Sequence, residues 1–242
     1  MKIEKLLTIF GRKPVLEALS DNDIEVFRLH LSDSNKETKE LKKILQLANK
    51  KGVEILYHSK RELSFISKNS KQDQGVALDI LMKNFITQEQ FLESFDEFRL
   101  LAVDGVTNPQ NLGLIIRSAT AGNIDAIIIP KRGTASLVSS LTIKASAGTI
   151  FKIPIIQTQS LVKTLKLFKK HSTKIYTLDS HAQKSYKQMS YDKKAIFILG
   201  NESVGVSKEI ETLSDESISI PMRRGVESLN VAMSATLISF LD

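Results

Sequence analysis

The sequence predicts an α/β protein in which a parallel sheet covered on both faces follows a smaller α/β unit. Two observations carry that prediction. From Arg99 onward, six short apolar runs (RLLAVDG, DAIIIP, FKIPII, KIYTLD, AIFILG and SISIP) are separated by amphipathic segments. Near-continuous apolar strands alternating with helices are what a parallel sheet buried on both faces requires. Ahead of them, residues 1–82 alternate between strand-period and helix-period segments over a shorter span.

In the first unit, IEVFRLHL at 24–31 alternates as a strand, and NKETKELKKILQLANKK at 35–51 sets Leu41, Ile44, Leu45 and Ala48 on one helical face. Residues 53–57 read as a second strand, 59–67 as a short helix and 74–81 as a third strand. The stretch 82–98 reads as a polar helix with Phe85, Phe91 and Phe95 at near-helical spacing, serving as packing residues. The expected division is therefore 1–82, a linker at 83–98, and a main domain at 99–242. The lysine-rich KTLKLFKK at 163–170 reads as the solvated face of a helix.

Composition narrows the chemistry. A chain of 242 residues with 42% hydrophobic and 25% charged residues has the balance of a globular protein. With no cysteine, disulfides, thiolate metal sites and cysteine nucleophiles are excluded. Histidines 30, 58, 171 and 181 form no metal-ligand spacing, so no metal is expected. No stretch reaches the roughly 18 apolar residues needed to span a bilayer, and the N-terminal apolar stretch is shorter than a signal-peptide core. A cytoplasmic address without membrane attachment is the expectation. The net charge of +7 suits a polyanionic partner. Divided at residue 82, the basic excess is spread over both parts, 15 against 12 and 19 against 15.

In a parallel sheet, ligands bind beyond the carboxyl ends of strands, and three segments place chemistry there. In the first, DGVTNPQNLGLIIR, Pro109 leads into a helix that carries Asn111, Gly113 and Arg117 in its first turns. Gly113 costs about 1 kcal/mol relative to alanine inside a helix and implies a close approach. In the second, AIFILGNESVGV, a strand stops at Gly200 and delivers Asn201 and Glu202, with glycine allowing a ligand or another backbone near. The Gly200 to Gly205 spacing lacks the Lys-Ser/Thr of a phosphate-binding P-loop. In the third, SISIPMRRGVESLNV, a strand feeds a basic loop and a helix that Ser228 can cap, leaving the early amide of Asn230 in want of a hydrogen-bond partner.

Singly these are ordinary strand-end loops. Together they resemble the three motifs of the SpoU (TrmH-type) branch of the SPOUT methyltransferases: N-x-G-x-x-x-R at Asn111, Gly113 and Arg117; G-N-E at Gly200–Glu202; and I-P-M with G-x-x-E-S-L-N-V at Ile220–Met222, Gly225 and Glu227–Val231. The match spans about residues 98–241. FGRKPVLEAL and DQGVAL resemble, more loosely, the small substrate-binding domain of the subfamily that methylates ribosomal RNA.

The resemblance implies a C-terminal trefoil knot, an exception to the rule against knotted chains. It implies S-adenosylmethionine bound at Leu199, Gly200, Asn201, Ile220, Met222 and Leu229. Catalysis falls to Asn111, Arg117, Glu202, Ser228 and Asn230. Arg117 is the family's catalytic residue; with a pKa above about 12 it is a poor base and better suited to lowering the pKa of the hydroxyl and gripping a phosphate. Glu202 would anchor Arg117 or the loop, and Ser228 would position the site. Ser203 stands where many relatives have glycine. A homodimer through the catalytic domain is implied, with an RNA substrate: a guanosine ribose of large-subunit ribosomal RNA, with transfer RNA as the rival. Readings of other classes are a non-catalytic RNA-binding protein of this fold, which the intact polar set disfavours, and a dinucleotide-dependent oxidoreductase, which lacks G-x-G-x-x-G after any strand.

Overall fold

The computed structural model describes residues 3–22 and 24–241. It opens with elements that sequence periodicity did not reveal, a strand β1 (Ile3–Phe10) and a helix α1 (Arg12–Ser20). They are followed by β2 (Glu25–Ser32), α2 (Lys39–Lys50), β3 (Glu54–His58), α3 (Lys60–Ser67) and β4 (Val76–Phe85). The α2 helix begins later than its periodicity suggests because Thr38 accepts from Leu41 N and caps it there. Ser59 and Glu62 form a reciprocal capping box on α3. Leu41, Ile44 and Ala48 are buried as the helical spacing requires, with Leu45 partly so.

The expected helix over 82–98 is corrected. Phe85 ends β4, and only α4 (Gln88–Ser94) is helical, set by a Thr87–Gln90 capping box. The aromatic cluster there is internal: Phe91 stacks on Phe95 at 4.5 Å and meets Phe98 edge-on at 5.3 Å. Its role is packing.

The remaining elements are β5 (Phe98–Val103), α5 (Pro109–Ala121), β6 (Ala126–Pro130), α6 (Ser140–Ser146), β7 (Ile155–Thr158), α7 (Leu161–Lys170), β8 (Lys174–Leu178), β9 (Lys184–Ser185), β10 (Lys194–Leu199), α8 (Lys208–Leu213), β11 (Glu216–Ser219) and α9 (Val231–Ser239). Every apolar run identified in the sequence overlaps a strand, FKIPII only at its last two residues. All lie parallel, in the order β7-β6-β5-β10-β8-β11-β9, so their carboxyl ends form one edge. The first unit continues the same sheet as β3-β2-β4, with β1 and β2 antiparallel to β4, and joins through the parallel pair Phe85 and Ile155.

Both faces of the parallel sheet are packed. One buries Leu101, Val103, Ile127 and Phe197 beneath α5, α6 and α9; the other buries Leu100, Ile128, Ile196 and Phe168. Strand β10 inserts between β5 and β8, although β8 precedes it in sequence. Among the described residues no helix is long and apolar enough to cross a membrane.

Candidate active site

The first motif folds as a helix start. Asn108 accepts from Gln110 N and Asn111 N, and Pro109 occupies the first helical position, where no N–H is needed. Gly113 is explained by the chain itself: a Cβ there would lie 2.5 Å from Thr142 O and 2.6 Å from Ala145 Cβ, so glycine lets α6 pack against α5. Arg117 lies about 9 Å of helical rise beyond Asn111. It is exposed and has no hydrogen-bond or ion-pair partner among the described residues.

The second motif is a tight loop closed on its own backbone. Asn201 N donates to Gly205 O at 2.9 Å and Gly205 N to Asn201 O at 3.0 Å. Asn201 Oδ1 accepts from Ser203 N at 2.8 Å, while its Nδ2 donates to Gly105 O at 2.7 Å and ties the loop to the end of β5. A Cβ on Gly200 would meet Gly205 C at 2.3 Å and Val206 N at 2.4 Å. Glycine at 200 therefore serves the closure of this loop: of the two close approaches expected there, a ligand or another backbone, the structure shows the backbone. Ser203 is exposed and contributes its backbone N–H to the turn.

In the third motif the helix cap is corrected. Asn230, not Ser228, caps α9, its Oδ1 accepting from Ala232 N at 2.8 Å. Ser228 is exposed on the preceding loop. Asn230 Nδ2 donates to Asn111 Oδ1 at 3.2 Å, and Asn111 Nδ2 donates to Glu202 Oε1 at 2.5 Å. One polar chain thus links all three motifs and accounts for the early amide of Asn230. It also shows that Glu202 anchors Asn111 rather than Arg117.

Beside this chain lies a cleft of about 830 Å³ at the carboxyl edge, within the usual range of ligand sites. Leu199, Gly200, Asn201, Ile220, Met222 and Leu229 all line it, as do Glu202 and Ser228; Asn111, Arg117 and Asn230 stand outside its lining. Its apolar floor is Leu199, Ile218 and Val231. Among the described residues, the loop 220–229 makes a single internal backbone hydrogen bond, Val226 N to Arg223 O, so most of its peptide groups are available to a ligand.

Sequence reasoning missed one wall. Asp179, Ser180 and His181 follow β8 and line the same cleft, Asp179 Oδ1 accepting from His181 N at 2.9 Å. The strand-end rule applied to KIYTLD would have found them. Among the described residues no group of three His, Asp or Glu side chains is arranged to hold a metal.

Comparison with known proteins gives this geometry a family. Residues 99–240, more than half the chain, match the model of the SpoU rRNA methylase family, and residues 8–85 match that of the RNA 2′-O ribose methyltransferase substrate-binding domain. A putative TrmH family tRNA/rRNA methyltransferase of Staphylococcus aureus is 29% identical over 96% of this chain and 93% of its own. The 23S rRNA (guanosine-2′-O-)-methyltransferase RlmB of Neisseria meningitidis is 28% identical over 95% and 92%. In fold, the chain is similar to the SpoU methyltransferase AviRb of Streptomyces viridochromogenes, solved with its cofactor AdoMet, with a TM-score of 0.70 at 22% identity over 97% and 88% of the two chains. The chain belongs to the SpoU rRNA methylase family and is an S-adenosylmethionine-dependent RNA 2′-O-ribose methyltransferase.

Proposed function

We propose that the methyl group is delivered to a guanosine ribose of large-subunit ribosomal RNA, with residues 1–82 as the RNA-binding unit, 83–98 as linker and 99–242 as the catalytic domain. The observation that carries the catalytic part is the Asn230–Asn111–Glu202 chain, which joins three distant segments beside one cleft, with Arg117 exposed further along the helix that carries Asn111. The ribosomal target rests on the match of residues 8–85 to a substrate-binding model and on likeness to RlmB over nearly its whole length. Transfer RNA is the second reading, favoured by the tRNA/rRNA designation of the staphylococcal relative.

The residues present fit the donor. Adenine suits an apolar floor of Leu199, Ile218 and Val231, and the peptide groups of 220–229 can meet its edges and the amino-acid end of the donor. Leu199, Gly200, Asn201, Ile220, Met222 and Leu229 would hold it. When bound, S-adenosylmethionine supplies an electrophilic methyl group. The attacking ribose hydroxyl is weak and must be aligned. Arg117 would bind the neighbouring phosphate and lower the pKa of the hydroxyl, since an arginine cannot readily accept a proton. Asn111 and Asn230 would orient the acceptor, with Glu202 fixing the Asn111 amide and Ser228 bordering the cleft.

We also infer a trefoil knot. Its support is the late insertion of β10 between β5 and β8, followed by the return of the C-terminal chain to α5, where Thr236 and Ser118 hydroxyls meet at 2.7 Å. A homodimer through this face is supported by Leu114, Met233 and Phe240, all apolar, all exposed and on or next to α5, which carries Arg117, and α9, which packs against it.

The deciding experiment incubates the protein with methyl-labelled S-adenosylmethionine and separate pools of unmodified ribosomal and transfer RNA, then maps ribose methylation. The expected product is a 2′-O-methylguanosine in large-subunit RNA. Transfer confined to transfer RNA would replace the target, and the absence of transfer to either pool would refute the reading.

A further inference from the structure

The charge surplus has a location that division at residue 82 conceals. Residues 126–178 contain nine Lys or Arg and no Asp or Glu, a run of 53 residues that more than accounts for the net +7 of the chain. Several of these cations are neutralised by acids from elsewhere. Lys169 and Lys174 both reach Asp215, at 3.0 and 3.9 Å, and Lys152 lies 4.0 Å from Asp21. Lys144 acts on the carboxyl of Glu17. Lys131, Arg132 and Lys163 are exposed and form no ion pair among the described residues.

Those three share one edge. Lys131 and Arg132 leave the carboxyl end of β6, and Lys163 lies in the first turn of α7, which follows the carboxyl end of β7. Lys131 and Lys163 line a groove of about 590 Å³ whose walls include Gln157, Gln159 and Ser160. Its one carboxylate, Glu89, is engaged by Gln88 Nε2 at 2.9 Å. The tip at Gly133 has a positive φ of 73°, and a Cβ there would meet nothing within 4 Å, so the Lys131–Arg132 turn projects into open space.

The strip is fastened to the active site. Ala135 N donates to Val106 O at 2.9 Å, and the adjacent Gly105 O receives Asn201 Nδ2 at 2.7 Å. From β5 to β7 the edge therefore runs from the polar chain, past Lys131 and Arg132, to the groove at Lys163, crossing strands about 4.8 Å apart. A polyanionic backbone is held by cations with amide and hydroxyl donors between them.

We propose that the RNA strand flanking the target nucleotide runs along this edge, its phosphates held by Lys131, Arg132 and Lys163. The proposal rests on the RNA methyltransferase reading and adds the track by which substrate reaches the site. Its test compares a Lys131→Gln/Arg132→Gln/Lys163→Gln variant with wild type on unmodified large-subunit RNA transcribed in vitro. A Lys170→Gln variant serves as control, since Lys170 is an exposed lysine at the opposite end of the same helix.

The triple variant should bind RNA at least about tenfold more weakly at 0.1 M salt and show a slope of log affinity against log salt reduced by about 2, as expected for three lost phosphate contacts. KM for RNA should rise while kcat at saturating RNA, donor affinity and melting temperature stay near wild type. Lys170→Gln should match wild type in every measure. Unchanged affinity and slope in the triple variant, or equal weakening by Lys170→Gln, would overturn the track. If wild type methylates no RNA, the functional reading fails, while the binding comparison still decides whether the strip holds RNA.

Discussion

Strand β6 carries no ionisable side chain, β10 carries only Lys194 at its first position, and β5 only Arg99 at its second; across the same sheet, β1, β2 and β4 bring Thr8, His30 and Asp79 together on the sheet itself. There Asp79 accepts from Thr8 Oγ1 at 2.7 Å, lies 3.0 Å from His30 Nε2, and His30 Nδ1 lies 2.9 Å from His58 Nε2. Where helices cover both faces, no water reaches the strand interior and polar groups collect at the ends. In the N-terminal unit the polar groups lie inside the sheet and satisfy one another. The contrast separates two kinds of polar network. At the carboxyl edge the Asn230–Asn111–Glu202 chain is exposed and open to a ligand, whereas the Asp79 cluster is closed and acts on stability.

Substitutions at three positions would sharpen or break that contrast. Arg117→Ala has the largest expected effect: kcat should fall by at least about 10²-fold, the scale of losing a transition-state donor, with donor affinity within a few fold and melting temperature unchanged because Arg117 has no partner to lose. Retained turnover in a labelled-methyl assay would refute its role.

Asp79→Asn should do the reverse, lowering stability by about 1–3 kcal/mol while leaving kcat at saturating RNA near wild type. Burial pushes the Asp79 carboxyl up, but hydrogen bonds from His30 and Thr8, with the charges of His30 and Arg28, hold it below its ordinary value of 3.8. A lowered carboxylate stabilises the fold above that ordinary value, and the contribution disappears as pH falls through the depressed one. Denaturant titrations should therefore show the gap between wild type and Asp79→Asn closing as pH falls below about 4, the range set by the unperturbed carboxylate; a gap independent of pH would remove the carboxylate from the explanation.

Asn230→Ala touches both stability and rate through one residue, and its expected stability effect, about 1 kcal/mol for a lost helix cap, is at the low end of that for Asp79→Asn. Because Asn111 also loses its donor, kcat should fall with it. Asn230→Ser restores a capping hydroxyl, so it should recover most of the stability and not the rate. Parallel recovery of both would show that Asn230 acts only as a cap.

The parallel strands were legible because burial on both faces leaves apolar runs that no surface helix would carry. β1 and α1 were not, since IEKLLTIF mixes charge into its alternation and α1 begins with the polar pair Arg12–Lys13. The spacing of Phe85 to Phe91 is nearly helical, yet strand pairing with Ile155 decides the conformation of Phe85. The three motifs announced that amides and a carboxylate belong together, but not which bonds to which. The choice of Asn111 over Arg117 as partner for Glu202, and of Asn230 over Ser228 as cap, depends on approach angles that exist only in the folded chain. Asp179 to His181 carry no motif of their own; only their place at and after the end of the apolar run KIYTLD, at the carboxyl end of β8, marks them as cleft residues.

The two hydrogen bonds of the polar chain span 91 and 119 residues of sequence. Contacts so remote form only after much of the chain has been brought together, and such closures are slow. Methyl transfer can thus serve as a clock on folding. In a refolding reaction, secondary structure should return first and activity last, because a partly assembled sheet can present a donor cleft yet has no means of using it.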